Sequence, residues 1–341
     1  MSVKVHKGEE KAEMVQMDTT VQEKNITYLT DQKLASKILF WTRRIAKSSE
    51  IKLKQTYDKE EKRLRYDNQP YGQIFDLINE MIYKNFANSH STIGSMEHLD
   101  DATVEDVQEF FRVYYAPNNA VIALSGAFDP DTAKGLIQTY FGDIPSQPLP
   151  PALDVSEPAE VAATYREWED KLAPFPAFLI GWKIPERRTP EFNALYLAGK
   201  VLYDGESSRL YQKLVKGSES VIQLFGFTDE RRGPSSIFIG AIPKPEEDLS
   251  EIRETIMEEI RDLATHGPTA EEMEKIENQL LNDTVRQRQS SMSRAQQIAE
   301  FALYDGDPTL INSELDELLS VTAEDIRMAA AHYLNTDNRA L

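Results

Sequence analysis

The chain has no cysteine at all, which removes disulfides, thiolate nucleophiles and cysteine-ligated zinc from consideration. It also has few bases for its acids. Its 38 Lys and Arg against 57 Asp and Glu leave a net charge of −19, a surface that repels phosphate backbones and excludes nucleic-acid binding as a natural role. Such a surface attracts basic peptides or partners, or serves solubility alone. Long apolar runs are missing, so no membrane span is read. Met1–Met14 is too polar for a signal peptide. The chain as written reads as soluble, with its compartment open and the periplasm one compartment for a longer parent. No glycine-rich phosphate loop is present, and no Ser, His and acid group has local motif support.

What is present is a repeat. Thr103-Val-Glu-Asp106, running through Tyr114 and Asn119, recurs as Thr322-Ala-Glu-Asp325, running through Tyr333 and Asn338, and each pair is separated by 219 residues (322 − 103, 325 − 106, 333 − 114, 338 − 119). Val107 matches Ile326, Met96 matches Leu315 and Leu99 matches Leu318. A period this long indicates a duplicated domain, not a solenoid of short units. Each Thr-x-x-Asp also reads as a helix start, with the hydroxyl accepting from a first-turn amide and the acid at the positive end. Thr322 lies about 160 residues beyond the linker described below, whereas 102 residues precede Thr103, so about 60 positions of the second copy lack a counterpart in the first. The first copy reads as shortened at its front, and the second as clipped at its back.

Pro145, Pro148, Pro150, Pro151 and Pro158 form a density of proline that neither helix nor central strand tolerates. We read 145–160 as a linker between domains 1–144 and 161–341. Helical spacing joins Leu34, Ile38, Trp41 and Ile45, and helices are expected at 54–66, 73–85, 104–115, 131–141, 191–203 and 208–216. Strands are expected at 120–126, 163–170, 177–183, 221–228 and 235–242. Thr269-Ala-Glu-Glu272 is a further capping box after Gly267-Pro268. Trp41, Trp168 and Trp182 fall at apolar periodic positions and are expected in cores. Strands beside helices without strict alternation favour an α+β class: two homologous domains, each an antiparallel sheet packed with helices.

Five ordered segments, Arg65-Tyr-Asp-Asn-Gln-Pro-Tyr-Gly72, Thr92-Ile-Gly-Ser-Met-Glu-His-Leu99, Tyr114–Asn119 with Gly126–Asp129, Tyr140–Pro145 and Ser207-Ser-Arg-Leu-Tyr211, resemble the insulinase-like (pitrilysin) zinc metallopeptidases, of the two-domain type that includes mitochondrial processing peptidase. The resemblance implies two homologous halves enclosing a peptide or protein substrate, and zinc held by H-x-x-E-H plus a distal glutamate. The histidines are His6, His90, His98, His266 and His332, and none forms that motif, whose expected place is the shortened front of the first domain. Glu60-Glu-Lys-Arg-Leu-Arg-Tyr-Asp-Asn-Gln-Pro70 resembles the distal-ligand segment and puts Glu61 on the ligand position; without partners Glu61 is an acid on a charged helix. An Arg and a Tyr seven residues apart hold substrate in the family, and the matching segment Leu214–Gln223 shows neither. Arg209 and Tyr211 precede it and read as structural. Arg294 and Tyr304 are candidates to contact a peptide, or else a solvated Arg and a packed Tyr.

The resemblance therefore implies no catalytic residue and no cofactor in this chain, with zinc in full-length members. The expected role is a peptide-binding or partner subunit, including a hetero-oligomer with a second family subunit. The alternative is a zinc endopeptidase whose full-length parent carries the motif upstream.

Overall fold

The computed structural model describes residues 70–91, 101–158 and 162–341. Glu61, Trp41 and His98 lie outside these. In chain order the elements are α1 (Ile74–Ile82), α2 (Phe86–Ser89), α3 (Val104–Tyr114), α4 (Pro130–Phe141), β1 (Phe178–Ile184), α5 (Pro190–Leu202), β2 (Val221–Asp229), β3 (Ser235–Pro243), α6 (Leu249–His266), α7 (Ala270–Gln289), α8 (Ser291–Glu300), α9 (Glu314–Leu319), α10 (Ala323–Tyr333) and β4 (Arg339–Ala340). Two compact units result. The described part of the first is 101–152 with 290–311, and that of the second is 70–91, 153–158, 162–289 and 312–341.

The second unit is built on a sheet of order β2-β3-β1-β4, antiparallel throughout. The α+β class expected from the sequence holds. β1, Phe-Leu-Ile-Gly-Trp-Lys-Ile, is buried along its whole length, and its side chains alternate between two cores as the two-residue period of a strand demands. Phe178, Ile180, Trp182 and Ile184 join Ile237 and Ile239 of β3 and Ile256, Ile260 and Ile326 in one cluster. Leu179 joins Phe238, Ile78 and Ile82 in the other. Burying each such side chain contributes about 1.5–3 kcal/mol. α5, α6 and α10 pack together over the first face, and α1 covers the second. Gly181 sets how near α1 comes, since a Cβ there would stand 2.6 Å from Ile82 Cδ1 and 3.0 Å from Ile78 Cδ1.

Local signals place the helices. Thr189 caps α5 with Pro190 in its first turn, and Asp248 caps α6. Gly267, at φ 73°, ends α6 in the left-handed region that glycine reaches without a Cβ clash. Glu272 Oε2 accepts from Thr269 N at 2.8 Å and Glu272 N donates to Thr269 Oγ1 at 3.2 Å, the expected capping box. A polar tie anchors the α1–α2 region: Glu157 accepts from Lys84 N, Asn85 N and Asn88 Nδ2 at 2.8–2.9 Å. Arg231 lies 4.4 Å over the Tyr83 ring. Burial pushes the Tyr83 hydroxyl up to about 12 despite that guanidinium.

The first unit carries the other copy of the repeat. α3 and α10 each span 11 residues at the 219-residue offset, and both start at a Thr/Asp capping box. Thr103 N and Thr322 N donate to Asp106 and Asp325 Oδ2 at 2.8 and 2.9 Å. The hydroxyl and amide of the threonine hold each aspartate below the usual carboxylate range. The copies diverge in what they bury. α10 buries Ile326, Ala329 and Ala330, whereas α3 buries nothing and exposes Val104 and Phe111 by 53% and 52%.

Two expected strands form no ladder among the described residues. There, 120–125 join no strand, and 163–170 make one parallel bridge, Thr164 to Ala340. A strand exists through its ladder, and apolar pattern alone supplies none. Trp168, expected in a core, is 57% exposed; Trp182 is fully buried and donates from Nε1 to Asn335 O at 2.9 Å.

Candidate functional site

A recess within the second unit follows from the way 163–179 is folded. Asp170 reverses the chain: its Oδ1 accepts from Leu172 N at 2.8 Å and its carbonyl from Ala173 N at 3.2 Å, a turn in which the side chain replaces a main-chain acceptor. Pro174 and Pro176 then hold the approach to β1 extended. The other Asp170 oxygen, Oδ2, accepts from Tyr71 N at 2.7 Å, and the Tyr71 hydroxyl donates to Phe175 O at 2.9 Å. These bonds clamp the start of α1 to the turn and hold Tyr71 at φ 62°, a conformation that a non-glycine residue keeps only when its surroundings enforce it. The Leu172 and Tyr71 amides hold the Asp170 carboxyl below its ordinary range.

Between α1, the 165–179 segment and the start of α6 lies a cavity of about 810 Å³, lined among others by Leu77, Met81, Trp168, Phe178, Arg253 and the terminal Leu341. Arg166 is drawn to Glu80 at 3.1 Å and lies 5.7 Å over Trp168. The lining combines apolar side chains, guanidinium groups that already have partners and extended main chain. It includes no histidine.

The residues singled out from sequence fall elsewhere. Arg294, on α8, donates from Nε to Ser125 Oγ at 3.1 Å and from Nη2 to Ser291 Oγ at 3.2 Å, so it is a bonded, half-buried residue of the first unit. Tyr304 is half-buried on the π-helical turn Phe301–Asp305 that follows α8. Arg209 is structural, as expected: it binds Glu272 at 2.7 and 2.8 Å, Asp262 at 2.8 Å and the Gly267 carbonyl at 3.2 Å. Burial pushes Glu272 up, but the Arg209 bond and the Thr269 amide outweigh it and leave the carboxyl below its ordinary range. In the segment matched to the family's Arg/Tyr pair, Leu214 and Val221 stand seven residues apart and both are buried. Sequence reasoning missed the Asp170–Tyr71 clamp, for which the Asp-x-x-x-Pro-x-Pro run from Asp170 to Pro176 is the available signal.

Among the described residues the donor set does not fit a catalytic zinc. Three protein ligands are needed, the sequence supplies no H-x-x-E-H, and among the described residues no three His, Asp or Glu side chains stand together as ligands. No helix among them is long and apolar enough to cross a membrane.

Comparison with known proteins agrees with the fold. Zinc protease PqqE of Helicobacter pylori is 21% identical over 281 residues, 82% of this chain and 63% of that protein. The chain spans about three fifths to two thirds of the length of the curated relatives it matches, with 63%, 66% and 59% covered in three of them. The crystal structure of a protease from Helicobacter pylori superposes with a TM-score of 0.78 at 20% identity, covering 92% of this chain and 72% of that one. That of a peptidase M16 inactive domain from Pseudomonas fluorescens gives 0.71 at 16% identity, covering 89% and 69%. At these identities the likeness establishes the fold. The family described as the peptidase M16 inactive domain matches residues 101–280, more than half of the chain. The insulinase-like resemblance read from the sequence thus holds, and the chain belongs to the peptidase M16 family.

Proposed function

We propose that this chain acts as a non-catalytic M16 subunit that binds a peptide or a partner subunit, the latter including a second member of its own family. The observation that carries this reading is the absence of H-x-x-E-H from a sequence whose family match is to the inactive domain. One residual carboxylate, Glu61, neither holds zinc nor lowers the pKa of a bound water. The net charge of −19 favours a basic peptide, and the cavity beside α1 is lined for an extended one. Arg294 and Tyr304 remain proposed peptide contacts, and the division into halves 1–144 and 161–341 about the 145–160 linker remains our reading of the repeat.

The test has two arms. Metal analysis after dialysis is expected to find no stoichiometric zinc, and a labelled basic peptide is expected to bind saturably, without cleavage, and more weakly as salt rises. Tightly held zinc lost on Glu61→Gln would overturn the non-catalytic reading, and absence of any peptide or partner binding would overturn the rest.

The match of Glu60–Pro70 to the distal-ligand segment favours a second reading, in which a longer parent is a zinc endopeptidase, in the periplasm or another compartment. An in-frame H-x-x-E-H about 75 residues before Glu61 would establish it.

A further inference from the structure

α1 and α2 precede the first unit in sequence yet belong to the second, and the chain re-enters the second unit at 153. The 101–152 part of the first unit is therefore an excursion from the second. The segments on either side of it are bonded to each other. Glu157 accepts from Lys84 N at 2.8 Å, Asn85 N at 2.9 Å and Asn88 Nδ2 at 2.8 Å. Asn85 Nδ2 donates to Asp154 O at 2.8 Å and Ser156 O at 3.2 Å, and Asn88 Nδ2 donates to Val155 O at 3.0 Å. A carboxamide nitrogen has two hydrogens, and Asn85 and Asn88 each direct both of theirs at 154–157. Val155 in turn lies against Gly233, where a Cβ would stand 2.9 Å from Val155 Cβ. Lys183 Nζ of β1 donates to Pro158 O, and Arg231 Nη1 donates to Asn88 O at 2.8 Å.

We propose that Asn85, Asn88 and Glu157 form a staple that closes the second unit across the excursion, so that the first unit unfolds and refolds locally while α1, α2 and the sheet stay packed. Local opening follows the apolar contact that a segment makes, and α1 buries Ile78 and Ile82 whereas α3 buries nothing. Bonds to a carboxylate are the stronger kind, which suits Glu157 to the knot. The other part of the first unit, 290–311, leaves after α7 and returns before α9. Those two helices pack on each other, and at the return Arg188 Nη1 donates to Glu314 Oε1 at 2.6 Å. Both departures from the second unit are thus closed within it. A first unit that opens alone can take up or release a partner without unpacking the sheet; that consequence rests on the partner-binding reading above, and the staple does not.

The test is segment-resolved hydrogen exchange on the intact chain in rising urea, below the main unfolding transition. Residues 104–114 are expected to lose protection first, while 74–89 and 154–157 keep theirs until 178–184 and 237–241 open. Loss of 74–89 together with 104–114 overturns the staple. Asn85→Asp separates the staple from a simple helix cap, because aspartate keeps the oxygen that caps α2 through Ala87 N at 3.0 Å but brings no donor. It is expected to speed exchange in both 74–89 and 154–157 at least about tenfold and to leave 178–184 unchanged. Unchanged exchange in 154–157 would make Asn85 a cap only and overturns its part in the staple. Asn88→Asp is expected to act in the same way from a buried position; if that variant does not fold, the order of opening in the unaltered chain decides.

Discussion

Asn338 Nδ2 donates to the Tyr333 carbonyl at 3.2 Å, closing the end of α10 just before β4, and 219 residues earlier Asn119 donates to Tyr114 at 2.9 Å at the end of α3. The same side chain performs the same closure in both copies of the repeat. Asn338 also donates to Lys183 O of β1 at 3.3 Å, which ties the turn to the sheet. Asn338→Ala removes both bonds from a half-buried site and is expected to cost about 1–3 kcal/mol. Denaturation followed through the buried Trp182 checks it, and an unchanged midpoint would remove the turn's claimed role.

α3 and α10 share caps and length but not burial, so their amides are expected to exchange at different rates. Opening free energy follows the apolar contact an element makes. The amides of Val104–Tyr114 should exchange at least about tenfold faster than those of Ala323–Tyr333. Segment-resolved hydrogen exchange reads this directly, and equal protection would show that α3 is covered in solution.

Gly181→Ala is expected to push α1 away from the sheet, because the new Cβ meets Ile82 Cδ1 at 2.6 Å and Phe238 Cε1 at 3.0 Å. Overpacking of this kind costs about 1–3 kcal/mol. The signature beyond lost stability is faster exchange in 74–82 alone. Ile82→Val in the same chain should recover part of the loss by withdrawing the methyl that collides.

The clamp at Asp170 predicts a dependence on acid. Its carboxyl titrates lower folded than unfolded, because the Leu172 and Tyr71 amides stabilise the charged form. The stabilisation is therefore complete above the unfolded aspartate value of about 3.9 and is lost as pH falls through the lower folded value. Protection of 71–82 should drop in that window. Asp170→Asn should flatten this local response while leaving the rest of the acid unfolding curve in place.

The parts legible in the sequence are those fixed within a few residues along the chain. Thr103/Asp106, Thr322/Asp325 and Thr269/Glu272 each satisfy orphan helix amides three positions away, so the helix starts could be read residue by residue, and the constant offset carried one copy's limits onto the other. Gly267 and the 145–158 prolines are equally local. The absence of H-x-x-E-H from the residues given is likewise a property of composition and order. The structure decided what depends on partners distant in the chain. Val121 and Ile122 have the pattern of a strand yet are 37% and 52% exposed, while Ala340, at the position equivalent to Val121, is buried against Gly181. Pattern fixes which face of a strand is apolar, but only a neighbour's unpaired main chain makes it a strand. For the same reason neither Trp168 at the rim of the cavity nor Tyr71 bound to Asp170 across 99 residues could be located before the sheet was assembled.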